Sequence, residues 1–157
     1  MLDSRPITTP RSTTNLSINK DGDTFREIWD FTTILGMLVY LANNSGPGIT
    51  FAVYQCVRFT HVPHHSHTMG ITRIPRYLNG TKDKDMTIIP TKEHWVDYYV
   101  DADFAGLFGI EQDQDHVSVK SITGDLITFM GVPLQWVSKL QTQIALSTME
   151  AEYIALP

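Results

Sequence analysis

The spacing of apolar residues changes character twice along the chain. Up to residue 24 it has no period, and the stretch is rich in Ser, Thr, Asn, Asp and Pro, as expected of a disordered arm or linker. From Glu27 onward, Ile28, Phe31, Leu35, Leu38, Val39 and Ala42 recur at helical spacing, and their density predicts a largely buried helix. Asn43 to Gly48 stops it with turn chemistry. Ile49, Ala52, Val53, Cys56, Val57 and Phe59 form a second stripe that fits a helix, although its β-branched and aromatic content leaves a strand open. A third helix is expected from about Ser66 to Leu78, with Ile71, Ile74 and Leu78 on one side and Asn79-Gly80 at its end. Pro75 lies inside it. Proline there deletes a backbone hydrogen bond and clashes with the preceding turn, at roughly 3 kcal/mol, so the helix either breaks at Ile74 or kinks.

Beyond residue 90 the period falls to two. Val96, Tyr98, Val100, Ala102 and Phe104 alternate with Asp97, Tyr99, Asp101 and Asp103, which is the pattern of a strand. A short strand is also expected over Met86 to Ile89. Two more are predicted near Lys120 to Met130 and Pro133 to Lys139, joined as a hairpin by Gly131-Val132-Pro133. Asp125 shares a face with Ile127 and Phe129, an awkward place for a charge if that face is buried. Ser147-Thr148-Met149-Glu150 reads as a capping box opening a last helix, with Leu146 and Ala151 placed for a hydrophobic staple.

Composition adds little beyond class. A 42% apolar and 18% charged content is that of a globular protein. The single cysteine, Cys56, excludes an intrachain disulfide and suits a reducing compartment; on its apolar stripe it reads as a core residue rather than a nucleophile. No signal peptide is expected at the polar start, and the longest apolar run, Ile34 to Ala42, is half a membrane span, so no membrane partner is expected. Charge divides unevenly. Residues 1–84 carry nine Lys/Arg and six Asp/Glu, whereas residues 85–157 carry three and eleven. A basic half beside an acidic one is compatible with a nucleic-acid cradle next to a metal site, and equally with unrelated surface faces.

Three places invite chemistry. The acids of the 96–104 strand need a partner if the strand is buried, and a divalent metal is the usual one; an edge strand with a solvated acidic face is the alternative. His61, His64, His65 and His67 crowd a Pro-containing loop, yet match no closed zinc spacing and read as a solvated helix start. The polar loop 111–116 lacks the glycine and closing glutamate of a calcium loop. In the last helix the capping box gives Glu150 a structural role, which leaves Glu152, on the face of Thr148 and Ala155, as the acid available for chemistry.

Four long words then carry a resemblance. Tyr99-Val100-Asp101-Ala102-Asp103-Phe104-Ala105-Gly106, Ser121-Ile122-Thr123-Gly124, Pro133 to Gln141 and Ala145 to Leu156 resemble, in collinear order, the ribonuclease H region of copia-type LTR retrotransposon polyproteins. Gly36 to Ala42, Phe51-Ala52-Val53 and Arg76 to Thr81 resemble the segment after the reverse transcriptase palm of the same polyproteins. The resemblance implies an α+β fold. An arm (1–24) precedes a helical post-palm thumb or connection segment (25–90), and an incomplete ribonuclease H-like sheet of three strands and its first helix follows (91–157). It implies Mg²⁺-dependent cleavage of RNA in an RNA–DNA hybrid, with Asp101 and Glu152 as catalytic, metal-binding carboxylates and Asp103 as a loop-orienting acid. It also implies the rest of the polyprotein as partner, an intracellular location, and Arg58, Arg73, Arg76, Lys82 and Lys84 as nucleic-acid contacts. Two further aspartates of such a site are expected beyond Pro157, and the chain has no Tyr-x-Asp-Asp word. Gly46-Pro47-Gly48, Thr72, Pro75 and Asp125 depart from the family's usual residues. A degenerate or partial copy, inactive alone, is therefore expected; a non-catalytic nucleic-acid-binding remnant is the alternative.

Overall fold

The computed structural model describes residues 5–11, 16, 29–84, 87–108 and 117–157. They form two compact units, divided at Asp85/Met86. The expected helix start at Glu27 and Ile28 and the polar loop 111–116 lie outside the described residues.

The first unit is helical: α1 (Phe31–Asn44), α2 (Pro47–Val57) and α3 (His65–Thr81). Asp30 caps α1, accepting from the Thr32 amide at 3.1 Å and from the Thr33 hydroxyl at 2.5 Å. The Thr33 hydroxyl, then the Thr32 amide, hold its carboxyl below the usual carboxylate range. Phe31, Leu35, Leu38 and Ala42 fall on one helical stripe and meet Ile49, Ala52, Val53 and Cys56 of α2 and Ile71 and Ile74 of α3 in one buried cluster. The second stripe is thus a helix, begun by Pro47 in its first turn, where a missing N–H costs nothing. Cys56 is a buried core residue, and burial pushes its thiol up to about 12.

Helix α3 neither breaks at Ile74 nor stops at Asn79-Gly80, but runs through Pro75 to Thr81. The buried side chains of Ile71 and Ile74 anchor the turn before the proline, and Tyr77 and Leu78, partly buried against the same cluster, hold the turn after it, so tertiary packing overrides the local penalty. Its start is less solvated than expected. His67 is fully buried, stacks on Phe59 with centroids 4.0 Å apart, and takes the His64 amide on Nδ1 at 2.9 Å. His61 and His65 remain exposed.

Residues 5–11 lie along α3, in the part of the chain expected to be a disordered arm. Arg73 donates from Nε to the carbonyls of Thr9 and Arg11 at 3.2 and 2.9 Å, and from Nη2 to the Thr9 hydroxyl at 2.9 Å. Arg76 Nε donates to the Arg5 carbonyl at 3.0 Å, and the Arg11 guanidinium sits 5.0 Å from the Phe51 ring centre. Gly80 gives the strap room: a Cβ there would come within 3.0 Å of Pro6.

The second unit is an antiparallel sheet in the order β1-β2-β3, from β1 (Val96–Asp103), β2 (Ile122–Phe129) and β3 (Val132–Leu140), followed by α4 (Thr148–Ala155). Residues 87–89 form no strand. The hairpin turns at Met130-Gly131, one residue earlier than expected, and both have positive φ (54° and 76°), as a two-residue turn matched to sheet twist requires. The Trp95 carbonyl accepts from the Met130 amide, and the Met130 carbonyl from the Thr91 amide, which holds methionine in that conformation. A bulge at Leu134 shifts the register, and Pro133 is tolerated beside it because β3 pairs only with β2 among the described residues. Asp125 is half-buried between Val100 and Val137. Among the described residues no helix is long and apolar enough to cross a membrane.

Candidate functional site

Strand β1 pairs only with β2 among the described residues, so it is an edge strand, and Tyr98, Tyr99, Asp101 and Asp103 are all exposed. The buried-strand premise for its acids therefore does not hold. Asp97 is half-buried and accepts the Thr128 hydroxyl at 3.4 Å. Asp101 stands opposite Gly124, where a Cβ would meet nothing within 4 Å, so the floor beside its carboxylate is open. Asp103 folds over the following turn. Its carboxylate lies against Gly106 so closely that any Cβ there would collide with it, while the Ala105 amide donates to Ser121 Oγ at 3.3 Å. Asp103 thus acts on its own loop.

Helix α4 packs against β1 and β2. Its cap meets half of the expected box: Ser147 Oγ accepts from the Glu150 amide at 3.1 Å, but the Glu150 carboxylate reaches past Ser147 to accept from the Leu146 amide at 2.7 Å. The staple does not form, because Leu146 is 85% exposed. Ala151 and Ala155 are the buried residues of the helix, and their small side chains let it approach closely. Glu152, one position from Ala151, is exposed at the margin of that packed face.

Sequence reasoning missed Gln141, which fixes this geometry. Its buried amide Nε2 donates to Thr123 Oγ1 at 3.1 Å and to the Ala151 carbonyl at 2.9 Å, tying β2 to the turn before Glu152. Its Oε1 is buried with no protein partner among the described residues. A glutamine at a strand end carries no sequence signal for such a role; only the fold brings Thr123 and Ala151 to it.

Asp101 and Glu152 therefore stand on two elements that pack together. As hard oxygen donors they suit a Mg²⁺ ion, which commonly binds through one or two carboxylates and keeps several waters. No group of three His, Cys, Asp or Glu side chains able to hold a metal occurs among the described residues, the histidine segment included. The expected basic contacts divide. Lys82 and Lys84 are exposed, whereas Arg58 is half-buried, bonded to Gln55 at 3.4 Å and set against Phe59. Arg73 and Arg76 hold the 5–11 strap.

No family model matches the chain, and no solved structure matches it. Its sequence is similar to the retrovirus-related Pol polyprotein from transposon RE1 of Arabidopsis thaliana, 32% identical over 154 residues, covering 98% of this chain. The corresponding polyprotein from transposon TNT 1-94 of Nicotiana tabacum is 38% identical over 125 residues, or 80% of this chain. The chain spans about a tenth of the length of these polyproteins. It also matches secreted RxLR effector protein 161 of Plasmopara viticola, 30% identical over 126 residues, covering 80% of this chain and 83% of that protein. The relatives at 31–38% identity across most of this chain's length are copia-type retrotransposon Pol polyproteins.

Proposed function

We propose that the chain carries two carboxylates of a ribonuclease H-type site and derives from a polyprotein that performs reverse transcription and cleaves the RNA of RNA–DNA hybrids. The observation that carries this reading is the packing of α4 on β1 in a unit whose antiparallel strands precede the helix, with Asp101 on the strand and Glu152 on the helix. Mg²⁺, when bound, supplies water activation and stabilisation of the leaving oxygen. The chain's own residues hold and orient: Asp101 and Glu152 offer the oxygens, Gly124 leaves space beside Asp101, and Gln141 and Ser147 fix the helix that carries Glu152. Two carboxylates hold a hydrated cation weakly, so the chain by itself is expected to bind Mg²⁺ only at millimolar concentration and not to cleave a hybrid.

Calorimetric titration with Mg²⁺, paired with a cleavage assay on a labelled hybrid, tests both parts. Weak binding lost in Asp101→Asn and in Glu152→Gln is expected. Identical titrations for wild type and both variants would sink the site, and Mg²⁺-dependent cleavage abolished by Asp101→Asn would overturn the inactivity. A second reading, non-catalytic nucleic-acid binding, is favoured by one observation. Arg73 and Arg76 bond only neutral acceptors among the described residues, so their charge, with that of Lys82 and Lys84, is available to phosphates. Salt-dependent hybrid binding lost on replacing these four residues would support it.

A further inference from the structure

The strap along α3 places a hydroxyl against a guanidinium that no acid pairs with among the described residues. Arg73 makes three hydrogen bonds among the described residues, to the carbonyls of Thr9 and Arg11 and to the Thr9 hydroxyl, and all three acceptors are neutral. The two carbonyl bonds bracket Pro10, fixing the backbone that follows the Thr9 side chain, and the third holds Thr9 Oγ1 at 2.9 Å from Nη2. Thr9 and its neighbours Thr8 and Arg11 are exposed. Of the eight prolines in the chain, only Pro10 follows a Ser or Thr. Proline at that position keeps Thr9 out of the helical region and the segment extended, the form in which a protein kinase takes its substrate.

We propose that Thr9 is a phosphoacceptor for a proline-directed protein kinase, and that Arg73 is the built-in receptor for the phosphate, which locks the strap onto α3. In the modification, Thr9 Oγ1 forms a bond to the γ-phosphorus of a nucleoside triphosphate. The bond from that phosphorus to the bridging β-oxygen breaks, the hydroxyl proton passes to the kinase's base, and the nucleoside diphosphate leaves. The product replaces one neutral acceptor with three oxygens carrying about −1.5 to −2 charge, against a guanidinium already aimed at the site. Hydrogen bonds between charged partners are roughly twice as strong as neutral ones, and a guanidinium presents its donors as a planar fork that matches phosphate oxygens. Arg76, one turn along α3 and bonded to the Arg5 carbonyl, adds a second cation to the strip the strap lies on.

The test uses the full chain, a proline-directed kinase and Mg²⁺-ATP, with the product mapped by mass spectrometry and followed by ³¹P NMR. One phosphate on Thr9 is expected, absent from Thr9→Val. Its second ionisation, about pH 6 in an unstructured phosphothreonine, should fall below that of a phosphopeptide of residues 1–16. Tryptic cleavage after Arg11 should slow about tenfold on phosphorylation. Arg73→Ala should return both readouts to the peptide's behaviour, and Arg73→Lys, which keeps the charge without the fork, should retain part of each. The comparison of protein with peptide needs no substitution, so a variant that misfolds leaves the test intact. A full chain in which Thr9 takes no phosphate, or in which the phosphate titrates as it does in the peptide, overturns the proposal.

Discussion

The helical unit and the sheet unit treat their apolar residues in opposite ways. In the first, three helices each contribute a stripe, and the stripes meet in a cluster led by Phe31, Leu35, Ile49, Val53, Ile71 and Ile74. In the second, the buried apolar residues among those described are Leu107, Ile122 and three alanines, while Trp95, Tyr99, Phe108 and Leu134 stand more than half exposed. Geometry explains the contrast. A helix hides a stripe against its neighbours, but a three-stranded sheet has two faces and two edges, and an eight-residue helix covers only part of them. The sheet unit is therefore the half with surface to spare for other contacts.

That contrast is breakable. Leu35→Ala should cost about 3 kcal/mol, because it opens a cavity in a cluster with no slack. Leu134→Ala should stay within about 0.5 kcal/mol. Chemical denaturation of the two variants measures both, and comparable losses would mean that the sheet unit is packed as tightly as the helical one. Within the sheet unit, Gln141→Ala should cost about 1–3 kcal/mol, since it strips the Ala151 carbonyl and the Thr123 hydroxyl of a buried donor. Hydrogen exchange should show the loss concentrated at α4. A uniform change along β1 to β3 would count against a tether role.

The smallest effect separates the units by pH. Asp30 is fully exposed, and its folded carboxyl is held below its ordinary value of 3.8 by Thr33 and Thr32. A depressed carboxylate stabilises the fold above its unfolded value, and that contribution disappears as pH falls through the folded one. Acid should thus fray the start of α1. Asp30→Asn, which keeps a good capping side chain without the charge, should titrate more flatly by circular dichroism. Coincident acid curves for the two proteins would remove Asp30 from the account.

Much of this was written in local pattern. The first and third helical stripes, the period-two run of β1, the β2–β3 hairpin and the Ser147 N-cap follow from spacing alone, since each is decided by residues a turn or a pleat apart, whereas spacing left the second stripe open between helix and strand. What failed to read was whatever depends on distant neighbours. Pro75 looked like a helix breaker because the anchoring of Ile71 and Ile74 belongs to the tertiary core. The acids of β1 looked buried because alternation says which side chains share a face and not whether the face is covered. Residues 5–11 looked featureless because their acceptors are backbone carbonyls, read by arginines more than sixty positions away. At the candidate site the types and order of Asp101 and Glu152 were legible, whereas the open floor at Gly124 and the tether at Gln141 came from the register.

One feature of the core gives the chain a handle. Its single cysteine is sealed inside the helical unit, and burial has pushed the thiol to about 12, so at neutral pH it is both shielded and protonated. The sheet unit has no thiol at all. A sulfhydryl reagent is therefore a clock that runs on one half of the molecule: each adduct counts a single opening of α1, α2 and α3, while motion in the strands passes unrecorded.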